Sequence, residues 1–131
     1  MVCFDTTFIV DLLRGSKNVQ LLVKQLDSGS ETISAASPSI IEIVRGLKVG
    51  NVRESEIEKV NALISSLNVL SLDKESAILA GNIEADLINS GEIIELVDIM
   101  IAAIAINNNE VLITRDKKHF SRIKNLMIQD Y

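Results

Sequence analysis

Short unbroken apolar runs alternate along the chain with longer stretches in which apolar residues return every three or four positions, a pattern that predicts strands separated by helices. Met1 to Phe4 is the first run and stops at Asp5; Phe8 to Leu13 then has helical spacing, closed by Gly15. Val19 to Leu26 repeats the helical pattern, after which Asp27, Ser28, Gly29 and Ser30 turn the chain into a short strand over Thr32 to Ser34. Ser37 before Pro38 predicts a helix start, because proline lacks an N–H that the first turn does not need and serine can cap free amides. That helix should run to about Lys48. Arg53 to Leu67 is apolar at Ile57, Val60, Ile64 and Leu67 and predicts a one-sided helix packed on a core. A strand over Asn68 to Leu72 follows, then a helix capped by Asp73 that continues through Asn89, with Gly91 as its left-handed terminator. Asp98 heads Ile99 to Ile106, which is apolar all round and should be buried on every side. Val111 to Thr114 predicts a strand, Lys117 to Ile123 a short basic helix, and Leu126 to Ile128 a last strand.

Strands this short and this apolar have no wet face, so they belong to a parallel sheet covered on both sides. The predicted class is α/β, a three-layer α/β/α sandwich around a central, mostly parallel sheet of four or five short strands. At 131 residues the expectation is a single domain over 1–131, and 47% apolar residues with one proline point to a globular core. The longest apolar run, Ile99 to Ile106, falls far short of the roughly 20 residues needed to cross a bilayer. With no export signal in the N-terminal pattern, the expectation is a soluble cytoplasmic protein without membrane association. The lone Cys3 reads as a small buried hydrophobe and agrees with a reducing compartment.

Charge narrows the function. Thirteen basic against eighteen acidic residues exclude a protein that coats nucleic acid by bulk electrostatics. The basic residues Arg115, Lys117, Lys118, Arg122 and Lys124 nevertheless cluster beyond Val111, opposed there only by Asp116 and Asp130. Aromatic residues are limited to Phe4, Phe8, Phe120 and Tyr131, too few for a base-stacking platform.

Four acids fall where a parallel sheet presents its carboxyl edge, the usual ligand site of such folds. Asp5 ends the first strand, and Asp116 follows the strand Val111 to Thr114 at the same edge. Glu42 sits between Ile41 and Ile43 inside the Pro38 helix, and Asp98 stands at the mouth of the most apolar helix, where an unpaired charge costs several kcal/mol. Singly, each has an ordinary reading: Asp98 as a helix cap, Asp116 as a turn residue, Glu42 as the partner of Arg45. Together they repel, by about 1 kcal/mol per pair at about 4 Å in water and about 4 kcal/mol at an effective dielectric near 20, so a converging quartet calls for a cation. No histidine cluster or cysteine pair offers a zinc site, and carboxylates alone suit hard Mg²⁺ or Mn²⁺. Walker, G-x-G-x-x-G and G-x-S-x-G motifs are missing, and His119, with no serine or cysteine partner in view, is expected to face solvent or nucleic acid instead of acting as a general base.

Four motifs in order resemble those of VapC-type PIN-domain ribonucleases, the toxin half of toxin–antitoxin pairs. They are Asp5-Thr6-Thr7 after the first strand, Glu42 with Gly46 four residues on, Asp98 followed by Ile99-Met100-Ile101-Ala102-Ala103, and Thr114-Arg115-Asp116 before Phe120. The resemblance runs nearly end to end. It implies a Mg²⁺- or Mn²⁺-dependent endoribonuclease whose catalytic, metal-holding quartet is Asp5, Glu42, Asp98 and Asp116, with Thr114 or Thr6 as a hydroxyl partner. Arg45, Arg115, Lys117 and Lys118 would then contact the RNA backbone, and Glu95 could add a fifth carboxylate. An antitoxin partner and a homodimer are implied as well; apolar residues on Arg53 to Leu67 and Val19 to Leu26 add support for the dimer if they are left uncovered. Two alternatives stand beside this reading. One is a PIN-fold scaffold that binds RNA or protein without cutting; the other is a haloacid-dehalogenase-type phosphohydrolase, which wants a second aspartate where this chain has Thr7.

Overall fold

The computed structural model describes residues 1–131. Five strands form one sheet in the order β3-β2-β1-β4-β5: β1 (Val2–Phe4), β2 (Ile33–Ala36), β3 (Asn68–Leu70), β4 (Val111–Ile113) and β5 (Ile128–Gln129). Every pair is parallel, which fits strands too short and apolar to have a wet face. Seven helices connect them: α1 (Thr6–Leu13), α2 (Lys17–Ser28), α3 (Ser37–Val49), α4 (Glu54–Ser66), α5 (Lys74–Asn89), α6 (Leu96–Asn107) and α7 (Lys117–Phe120).

Alternation along β1 divides the interior in two. Val2 and Phe4 face one layer, where Phe8, Ile9, Val19, Ile43 and Val60 from α1 to α4 bury against them. Cys3 faces the other, packed with Ala80, Leu87 and the α6 residues Ile99, Ile101 and Ile104. Register keeps the layers consistent: Phe4 lies beside Ala35 and Ile113, and Cys3 beside Leu112. Helix α6 is covered on nearly all sides, as its unbroken apolar run predicts. Burial pushes the Cys3 thiol up to about 12, so it is an inert core residue. No helix is long and apolar enough to cross a membrane.

Several boundaries depart from the sequence reading. Helix α6 begins at Leu96, because Val97 already packs on the core, so Asp98 lies inside its first turn and is not its cap. Ser37 is the first residue of α3 and does not cap it; its Oγ instead accepts a hydrogen bond from the Leu72 amide at 3.2 Å. The basic helix stops at Phe120, and β2 extends to Ala36. The apolar faces of α2 and α4 are largely absorbed by the chain's own core through Val19, Leu22, Val23, Val60, Leu63 and Ile64. Leu21 on α2 stays uncovered, and a cluster of exposed apolar residues lies elsewhere: Ile41 is 62% exposed, Val44 41% and Val69 39%, around a shallow groove shared with Ile40 and Ile64.

The strand order places a topological switch between β1 and β4, since the chain leaves β1 toward β2 on one side and leaves β4 toward β5 on the other. A crevice opens at such a point beyond the carboxyl ends of the strands.

Candidate active site

Asp5 leaves β1 directly into that crevice and caps α1, its Oδ1 accepting from the Phe8 amide at 2.9 Å. Thr7 Oγ1 donates to its carboxylate at 2.8 and 2.9 Å, and Thr114 Oγ1 donates to Oδ2 at 2.6 Å. Asp5 is only 3% exposed, and burial raises its carboxyl above the ordinary value. The bonds from Thr114, Phe8 and Thr7 oppose that rise, while the Asp98 charge adds to it. Thr114 is fully buried at the end of β4; besides donating to Asp5, its oxygen accepts from the Asp116 amide at 3.0 Å. One hydroxyl thus ties together two acids contributed by adjacent strands.

Helix α3 presents Glu42 from the side, where Thr6 Oγ1 donates to its Oε1 at 2.7 Å. Arg45 reaches the other oxygen at 3.8 Å, so the predicted local pair exists alongside the contact into the cleft. Asp98 enters from the first turn of α6, and Asp116 caps α7 by accepting from the His119 amide at 3.2 Å. The four acids, with Thr6, Thr7, His119 and Phe120, line a single cleft of about 150 Å³. No lysine or arginine lines it.

The other candidates lie outside this cleft. Glu95 is exposed just before α6 and does not line the cleft with the other four acids. Arg115 is turned to Asp11 at 3.1 Å, and Lys117 to Asp130 at 3.5 Å. Lys118 is exposed. His119 departs from expectation: instead of facing outward, Nε2 lies 2.9 Å from Asp98 Oδ2. Its position three residues after a capping aspartate was the available signal, because that spacing returns a helical side chain to the cap's end.

The cleft's chemistry can be tested against a divalent ion. All four acids offer hard oxygen donors, and no lysine or arginine in the lining balances their charges. No three acid, histidine or cysteine side chains form a ready-made cage. Mg²⁺ does not require one, since it commonly keeps several waters and takes one or two carboxylates together with substrate phosphate. The donor set therefore fits such an ion.

The sequence model of the PIN domain matches residues 2–126. The chain belongs to the PIN-domain family. Within that family it groups with the VapC-type ribonucleases: it is 32% identical to ribonuclease VapC19 of Mycobacterium tuberculosis over 96% of this chain and 97% of the relative. Its fold superposes on VapBC2 of Rickettsia felis, solved bound to a promoter DNA fragment, with TM-score 0.92 and 24% identity over 100% of this chain and 99% of that one. DNA-bound VapBC of Salmonella typhimurium gives TM-score 0.87 and 26% identity over 99% and 98% of the two chains. The PIN match confirms the predicted α/β/α class, with a sheet that is wholly parallel in place of mostly so. The phosphohydrolase alternative has no support from these relatives.

Proposed function

We propose that this VapC-type PIN protein is a metal-dependent endoribonuclease toxin that hydrolyses RNA phosphodiesters in the cleft lined by Asp5, Glu42, Asp98 and Asp116. The observation that carries the reading is the convergence of four carboxylates from β1, α3, α6 and the end of β4 on one small cleft without a lysine or arginine in its lining. Asp5, Glu42, Asp98 and Asp116 would hold Mg²⁺ or Mn²⁺. Such an ion supplies charge neutralisation at phosphate and activation of water.

The chain's own residues do the positioning. Thr114 fixes Asp5 relative to Asp116, and Thr6 turns Glu42 toward the cleft. Burial on β1 limits the hydration of Asp5, so its ionised form is favoured by a counter-ion more than an exposed aspartate would be. Arg45, Arg115, Lys117 and Lys118, all exposed outside the acid cleft, would contact substrate phosphates.

The reading extends to partners. Kinship with VapBC complexes supports an antitoxin partner, which would block the site. The exposed Ile41, Val44 and Val69 supply an apolar surface for a homodimer, separate from the acid cleft. Asp5→Asn tests the catalytic reading. RNA cleavage should disappear while far-UV circular dichroism stays unchanged, and chelation of wild type should give the same loss, reversed by added Mg²⁺ or Mn²⁺. Full cleavage by a pure, folded Asp5→Asn preparation would overturn the assignment.

A further inference from the structure

Asp98 differs from the other acids of the cleft in how it is held. Asp5 has three separate donors and Glu42 has Thr6, whereas His119 provides the hydrogen bond to the Asp98 carboxylate. The geometry of His119 is in turn fixed by Arg122. One guanidinium nitrogen of Arg122 lies 2.9 Å from His119 Nδ1, its Nε donates to the His119 carbonyl at 3.1 Å, and its other terminal nitrogen donates to the Ile93 carbonyl at 3.1 Å. A guanidinium has donors only, so the ring nitrogen facing it must present a lone pair. The proton of the neutral imidazole therefore resides on Nε2, which donates to Asp98 Oδ2 at 2.9 Å. The ring also stands edge-on to the buried Phe120, with centroids 5.3 Å apart and planes at 87°.

We propose that Arg122 and His119 form a positioning relay for Asp98. Arg122 selects the imidazole tautomer, His119 Nε2–H engages Oδ2, and Oδ1 is left without a protein partner to serve as the ligating oxygen. The bond from Arg122 to Ile93 ties the α7 region to the segment leading into α6, so both ends of the relay are anchored to the same short stretch of structure. Partners that orient metal-binding carboxylates in this way typically change metal affinity by about 10- to 100-fold when removed. The inference rests on the reading of Asp98 as a metal-holding residue.

Calorimetric titration of the full chain with Mn²⁺ separates the two claims. Asp98→Asn should weaken binding strongly; if binding is unchanged, the assignment of Asp98 falls, and the relay with it. Given weakened binding in that variant, His119→Leu should reduce Mn²⁺ affinity about tenfold or more. His119→Gln, whose amide nitrogen can stand in for Nε2, should restore most of the loss. Arg122→Gln should weaken binding in the wild-type background and add little to His119→Leu, because Arg122 reaches Asp98 only through His119. RNA cleavage by His119→Leu should recover at saturating Mn²⁺, which a merely collapsed fold would not permit. Wild-type affinity in His119→Leu, failure of His119→Gln to rescue, or fully additive losses would each overturn the relay. Should His119→Leu not fold, Arg122→Gln carries the test alone: weakened Mn²⁺ binding supports the relay and unchanged binding refutes it.

Discussion

Thr114→Val removes one oxygen from the buried bridge between β1 and β4 while keeping the branched shape. In the native protein that oxygen donates to Asp5 at 2.6 Å and accepts from the Asp116 amide at 3.0 Å. A hydrogen bond to a charged group contributes about 1.5–3 kcal/mol and a neutral one about 0.5–1.5 kcal/mol, so the loss should come to about 2–4 kcal/mol near pH 8. The cost should also depend on pH. Burial raises the Asp5 carboxyl, so its ionisation already lowers stability as pH rises above the ordinary aspartate range; the Thr114 bond limits that rise. Without the hydroxyl, ionisation costs more. The gap between wild type and variant should therefore widen with increasing pH and shrink by about 1 kcal/mol as Asp5 becomes protonated, when only a neutral bond is at stake. Urea unfolding in chelator at about pH 8 and at steps down to about pH 3, followed by circular dichroism because the chain has no tryptophan, measures both quantities. A destabilisation below about 0.5 kcal/mol, or a gap that is flat or inverted with pH, would refute the argument that this hydroxyl supports a buried charge.

Two further expectations concern a buried acid and the apolar surface. Glu110 is buried with Oε2 unpartnered, and burial raises its carboxyl, so its ionised form costs folded stability at pH values above the ordinary glutamate range. Glu110→Gln should consequently melt at a higher temperature than wild type near pH 8 and lose that advantage in acid; a lower melting temperature at both pH values would refute this reading. Ile41→Lys should turn the proposed dimer into a monomer in sedimentation at micromolar concentration without disturbing the fold, and an unchanged dimer would exclude the α3–α4–β3 surface.

The legible parts of the sequence were those governed by local rules. Apolar runs gave the β/α order, and Asp5 and Asp116 could be placed at one sheet edge because each follows a strand. The ends of elements were less legible. Whether α6 starts at Leu96 or Ile99 depends on Val97 meeting a core residue distant in sequence, which periodicity cannot show. The orientation of His119 is only half legible: its spacing from Asp116 turns it toward the start of α7, but Asp98, the residue it meets there, is far away along the chain. Whether the apolar face of α4 was free for a dimer or packed in the core stayed open in the sequence, and the structure places Val60 and Leu63 in the core layer. Arg45 and Glu42 lay between these cases: helical spacing predicted their pairing, but only the tertiary structure revealed the additional bond from Thr6.

The link from Thr114 to Asp5 closes a loop of 109 residues. During synthesis, a chain emerging from the ribosome holds Asp5, Glu42 and even Asp98 well before β4 has been made. Until β4 docks beside β1, Asp5 has no hydroxyl from Thr114 and the acid after β4 has no place in the cleft. A cleft assembled in this order gains its full set of acids only once β4 has been translated and has docked beside β1.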